Sequence, residues 1–142
     1  MSFSTKLTVI LLSALLLSGC SQTNSPSLYQ QLGGAAGIEA ITDGLLHEIE
    51  HDHRIVHHFA DTDIARFRRL LAEQLCDLSG GPCVYSGGTM QQSHTGFNIS
   101  LADYDALVEG LIKVMQQQNI SISAQNQLLA LLAPMYKDIS YR

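Results

Sequence analysis

Basic residues are scarce in this chain of 142 residues, which has 8 lysines and arginines against 13 aspartates and glutamates. The formal net charge of −5 argues against a nucleic-acid partner and against an electrostatic hold on anionic lipid. No segment alternates apolar and polar residues as a half-buried strand does, and no internal repeat is visible. The sequence therefore predicts one small all-α domain.

The apolar run near the N-terminus is too short to span a bilayer comfortably. It covers residues 7–17, follows Lys6, and leads into L-S-G-C, in which small residues precede Cys20. This segment resembles the lipobox of bacterial lipoproteins, which implies that residues 1–19 are a signal peptide and that Cys20 is lipidated. Ser21 stands where that family's inner-membrane retention signal has Asp. We therefore expect a protein in the bacterial cell envelope, held to the outer membrane only by lipid and facing the periplasm.

Residues 20–27 comprise the lipidated cysteine and polar residues with one proline, which predicts a flexible tether to a domain of residues 28–142. The 123 residues left after cleavage suffice for one core but not for a second domain. Cys76 and Cys83 remain, and an oxidising envelope permits a disulfide between them. Two separate small apolar side chains are the alternative.

Apolar residues recur at helical spacing along the domain. A first helix is expected over about 35–50, and a second helix is expected after a cap at Asp61 or Thr62. A short helix is predicted around 90–94, and Ser100 with Asp103 forms a start similar to a capping box. The last helix is expected over about 123–139. The stripe of the first helix comprises Ile38, Ile41, Leu45 and Ile49, and that of the second Ile64, Phe67, Leu71, Leu75 and Leu78.

Five of the six histidines lie in HEIEHDHRIVHHF, residues 47–59. H-E-I-E-H matches the H-E-x-x-H pattern of zinc proteases, with His47 and His51 as ligands and Glu48 as the base. At about 100° per residue, however, both histidines lie opposite the apolar stripe and face solvent. This placement disfavours a protease. Zinc or copper binding by the strip from His47 to His58 stays open as an alternative.

His94 stands apart from this strip, in Y-S-G-G-T-M-Q-Q-S-H. A neutral imidazole is a suitable axial ligand for haem iron, and one such ligand can hold a b-type haem in an apolar pocket. The sequence contains no C-x-x-C-H, which excludes covalent attachment of the c type.

Four motifs in order, S-L-Y-Q-Q-L-G-G, R-I-V-H-H-F-A-D, L-S-G-G-P and Y-S-G-G-T-M-x-x-x-H, resemble the truncated haemoglobins of group I. The resemblance covers roughly residues 27–139 and implies a two-over-two helical sandwich around non-covalent haem b. It makes His94 the proximal iron ligand and Phe59 a side chain packed on the haem face. Met90 and Tyr85 would line the proximal side and the haem edge. The pairs Gly33-Gly34 and Gly80-Gly81 match glycines at which shortened helices turn.

The chain departs from the family on the side where the gas binds. Many members have a tyrosine where this chain has Leu46, and glutamine or another polar residue where it has Phe67 and Leu71. Without these donors, we expect weak or rapidly released oxygen. His47 or His58 is a possible substitute donor or sixth ligand. Arg68 and Arg69 are expected near the haem propionates or in solvent.

The sequence thus predicts a truncated globin that binds oxygen, nitric oxide or carbon monoxide, with oxygen binding or transport as the family-level function. Nitric oxide dioxygenation is a possible side activity, for which an electron-donor reductase would have to reduce the iron, although we do not expect an enzyme. The alternative is a haem-free envelope lipoprotein that binds zinc or copper.

Overall fold

The computed structural model describes residues 25–141, so the predicted signal peptide and Cys20 lie outside the described residues. No regular strand occurs in this part of the chain, and an isolated bridge pairs Ile99 with Ser140. No helix in residues 25–141 has the length and apolar character needed to cross a membrane. The helices are α1 (Leu28–Gln31), α2 (Gly34–His51), α3 (Ile64–Leu78), α4 (Met90–His94), α5 (Leu101–Gln117), α6 (Ile122–Leu132) and α7 (Tyr136–Ile139), with 3-10 turns at Val56–Phe59 and Ala133–Met135.

Helix α2 is the centre of the core and packs against both α3 and α5. Its predicted apolar stripe is buried, with Ile41 fully inaccessible and Leu45 only 4% exposed. Each such side chain contributes about 1.5–3 kcal/mol on burial. A Cβ at Gly44 would lie 2.6 Å from a methyl group of Val114, so a glycine is what permits the close approach of α2 and α5.

The helix starts follow local capping. Gly33 adopts a left-handed φ of 93° between α1 and α2, as expected for a glycine pair that turns the chain. The side chain of Ser100 accepts a hydrogen bond from Asp103 N–H at α5, which confirms the predicted capping box. Asp63, rather than Asp61 or Thr62, caps α3, because the 3-10 turn and the turn after it carry the chain further before the helix begins.

The predicted last helix, residues 123–139, is broken. It starts at Ile122, and a 3-10 turn at Ala133–Met135 separates α6 from α7. Pro134 lies in this turn. Proline lacks the N–H that a continuous helix needs, and its ring clashes with the carbonyl four residues earlier. The helix therefore breaks here, although the apolar periodicity of the sequence continues past the break.

The end of α3 is cross-linked to the following loop. Cys76 and Cys83 form a disulfide with a Cα–Cα distance of 5.7 Å, which resolves the alternative left by the sequence. The chain reverses between them through Gly80, whose φ is 79°, and Gly81 N–H donates to the Cys76 carbonyl at 2.8 Å.

Reduction of this disulfide should lower the free energy of unfolding by about 2–3 kcal/mol, because the unfolded chain loses a short closed loop. Urea denaturation with and without reductant measures the change. The double variant Cys76→Ala/Cys83→Ala is the control, and reductant should not alter its stability. Identical urea midpoints for oxidised and reduced wild-type protein would contradict the prediction.

Candidate functional site

A cavity of about 450 Å³ lies among α3, α4 and α5, within the size range typical of cofactor sites. Its wall includes Leu75, Leu107, Val108, Leu111, Leu132 and Met135, so it is predominantly apolar. Six side chains selected from the sequence converge on it: Phe59, Phe67, Leu71, Tyr85, Met90 and His94.

The imidazole of His94 is oriented by its own short helix. Thr89 and Gln92 form a capping box that fixes the start of α4. One turn later, His94 Nδ1 lies 2.7 Å from the Met90 carbonyl oxygen. Because a carbonyl only accepts hydrogen bonds, Nδ1 carries the proton and Nε2 keeps a free lone pair. Hydrogen bonding of this kind orients metal-binding histidines in proteins.

A pair of aromatic rings covers another part of the cavity. The 3-10 turn at Val56–Phe59 presents Phe59 to Phe67 of α3, with ring centroids 5.3 Å apart and an interplanar angle of 47°. Leu71 follows one helical turn after Phe67 on the same wall. This tilted pair presents apolar aromatic surface to the cavity.

Two predicted positions differ from the structure. Leu46 is half-buried and does not line the cavity, whereas Leu45 does. Adjacent helical residues point about 100° apart, and Leu45 belongs to the buried stripe. His47 is exposed and outside the cavity wall, so of the two histidines considered as partners for a bound gas only His58 lines it.

Gln74 is a cavity residue that the sequence interpretation missed. Its amide nitrogen lies 3.3 Å from Met90 Sδ and 3.7 Å from Met135 Sδ. Thioether sulfur is a weak acceptor, so the amide nitrogen has only weak partners among residues 25–141. The helical spacing contained the signal, because Gln74 follows Phe67 by seven residues and Leu71 by three.

His58 meets the start of α5 at the cavity wall. Its Nε2 lies 3.3 Å from Asp103 Oδ2, although it makes no hydrogen bond within the described residues. Hydrogen bonds from the Ser100 hydroxyl and N–H, aided by His58, lower the pKa of Asp103 to about 2 against the opposing effect of burial. Asp103 is therefore an anion beside a half-buried ring whose Nε2 atom is buried.

The arginines of α3 divide between the cavity and the outer surface. Arg68 pairs with Asp43 and Glu39 of α2, and Arg69 pairs with Glu73. Neither lines the cavity, which agrees with the solvent alternative for both. Arg66 does line it, and it had not been singled out from the sequence.

The protease pattern is not assembled as a catalytic site. His47 and His51 are exposed, as their helical position predicted. Glu48, the would-be base, accepts a hydrogen bond from Lys113 Nζ at 2.7 Å. A zinc protease instead needs a third ligand and a base facing one metal in a cleft.

A helical fold whose cofactor-sized apolar cavity is faced by an oriented histidine defines the globin class. The family model for bacterial-like globins matches residues 27–141, and the chain belongs to this family. It is 33% identical over 95 residues to the group 1 truncated hemoglobin GlbN of a Nostoc species, covering 67% of this chain and 80% of that protein. It is also 26% identical over 117 residues to the group 1 truncated hemoglobin of Tetrahymena pyriformis, covering 82% and 97%.

Solved structures show the same architecture. The Fe(III) form of Tetrahymena pyriformis truncated hemoglobin has a TM-score of 0.79 and 25% identity, covering 82% of this chain and all of that one. The 2/2 hemoglobin of a Synechococcus species, solved with covalently attached haem, has a TM-score of 0.75 at 22% identity, covering 80% and 98%. The predicted two-over-two helical fold is confirmed.

Proposed function

We propose that this protein binds non-covalent haem b, with Nε2 of His94 as the proximal iron ligand. The observation that carries this proposal is the hydrogen bond from His94 Nδ1–H to the Met90 carbonyl, because it leaves Nε2 available on the cavity wall. The sequence has no C-x-x-C-H, so we expect no attachment of the c type.

The residues present fit a haem group. Its large apolar ring suits the aliphatic wall, and Phe59 with Phe67 offers aromatic packing. The propionates are anionic, and Arg66 at the cavity is the side chain of α3 that offers them a cation. His94 is half-buried at the cavity wall.

The function that this site supports best is reversible binding of a diatomic gas. A bound haem would supply an iron centre able to take up such a gas, and His94 would hold it. The chain supplies a predominantly apolar cavity wall, in which Phe67 and Leu71 offer no hydrogen bond. Carbon monoxide needs no donor, whereas oxygen gains stability from one. We infer gas binding with rapid oxygen release, rather than catalysis that depends on a reductase.

The variant His94→Ala should abolish haem binding, because no imidazole would then remain at the end of α4. The Soret absorption band of the purified protein measures this directly, as does the shift of that band when the protein is reduced and then exposed to carbon monoxide. His53→Ala changes a histidine outside the cavity and should retain both signals. Circular dichroism separates loss of haem from loss of fold, and a folded His94→Ala protein with the wild-type spectrum would refute the proposal.

The variant Phe67→Gln should slow oxygen release by about tenfold or more, since a hydrogen bond to a partly charged acceptor is worth about 1.5–3 kcal/mol. Carbon monoxide release should change far less. Stopped-flow dissociation measures both rates. Phe67→Leu is the matched control, because it removes the ring without adding a donor. An equal slowing in Phe67→Leu, or none in Phe67→Gln, would show that hydrogen bonding does not limit release.

We further propose that the globin domain is anchored in the cell envelope through lipidated Cys20. The support is the lipobox-like sequence and the Cys76–Cys83 disulfide, a bond typical of oxidising compartments. In a bacterial host, Cys20→Ala should move the protein from the membrane fraction to the soluble fraction, and labelled fatty acid should enter the wild type alone. Equal labelling of both proteins would disprove the anchor.

A further inference from the structure

A second cluster of ligand atoms lies outside the haem cavity, on the last turn of α2. It consists of His47, Glu50 and His51, all exposed, and one ligand atom from each lies within 4.8 Å of the others. We propose that these three side chains bind a divalent first-row transition-metal ion of the zinc and copper type. This site is separate from the haem cavity; it shares His47 and His51 with the protease pattern but uses Glu50 as its carboxylate instead of Glu48.

The two rings already converge on one side of the helix. His47 and His51 are one turn apart, and their centroids are separated by 4.3 Å. His51 Nδ1 lies 2.8 Å from the His47 carbonyl oxygen, which only accepts, so Nδ1 carries the proton and Nε2 keeps its lone pair. The backbone thus orients one ligand before any ion arrives, as partners of bound histidines commonly do.

The distances require only small side-chain rotations. Zinc lies about 2.0–2.2 Å from nitrogen and carboxylate ligands, so two ligands of one tetrahedral ion are about 3.3–3.6 Å apart. The observed limit of 4.8 Å therefore calls for a closure of at most about 1.5 Å between exposed side chains. Water can fill the remaining coordination positions.

The electrostatic setting favours a cation. Helix α2 has 18 residues and ends at His51, so the cluster lies at the negative end of its peptide dipoles. Glu50 adds a negative charge at the same turn and is not engaged in an ion pair within the described residues. Two imidazoles with a carboxylate suit zinc and copper better than calcium or magnesium, which prefer oxygen ligands alone.

Titration of tag-free protein with Zn²⁺ in a calorimeter tests the site. We expect one ion to bind more tightly than about 1 mM, and Cu²⁺ to bind more tightly than Zn²⁺. His47→Ala and His51→Ala should each weaken Zn²⁺ binding by at least about tenfold. Removal of a group that orients a metal ligand already weakens metal binding by about tenfold or more, and removal of the ligand itself should weaken it at least as much. Glu50→Gln should weaken it by a smaller factor.

Three controls distinguish this site from other histidines. His53→Ala and His57→Ala alter neighbours in the same strip, and His94→Ala alters the cavity; all three should leave Zn²⁺ affinity within about twofold. The haem spectrum should be unchanged in His47→Ala, so failure of the haem proposal and failure of this one are separate results. The proposal is overturned if no Zn²⁺ binds at 1 mM, about −4 kcal/mol, or if His53→Ala or His57→Ala is as damaging as His47→Ala.

Discussion

The hydrogen bond from His94 Nδ1–H to the Met90 carbonyl is the interaction on which the candidate haem site depends. Helix α4 has only five residues, so a small shift of its start would displace both ends of this bond. Thr89 and Gln92 prevent that shift by capping each other's backbone N–H. The same helix presents Met90 to Gln74 of α3, so a single short element sets the ligand nitrogen and one boundary of the cavity.

The periodicity of helix α2 places the residue that reaches the cavity and the exposed histidines on different sides of the helix. Its buried stripe packs on α3 and α5, and Leu45 on that stripe also reaches the cavity wall. Two residues later, His47 is exposed, because a step of two residues turns the helix by about 200°. An ion held by the exposed turn would thus lie across the helix from the cofactor, with the helix backbone between them.

Local patterns in the sequence predicted local structure well. The buried stripe of α2, the short helix at Met90–His94 and the Ser100–Asp103 capping box all follow from interactions within one or two turns. The end of the last helix was predicted less accurately, because Pro134 breaks a helix whose apolar spacing continues beyond it. The match of Leu46 to the family's tyrosine position stays a prediction, although Leu45 is the neighbour that lines the cavity. Gln74 was overlooked because glutamine is usually a surface residue, and only the packing reveals its sulfur neighbours.

The disulfide ties the stability of the fold to the shape of the cavity. Cys76 directly follows Leu75 of the cavity wall, and Cys83 precedes Tyr85 by two residues, so the bond joins two parts of that wall. Ser86 reinforces the connection, since its hydroxyl donates to Glu73 at 2.6 Å and helps to hold the pKa of that carboxyl below its usual value. The loop before α4 is therefore restrained both covalently and by hydrogen bonds. Such restraint supports a helix of five residues, because a helix this short is only marginally stable by itself.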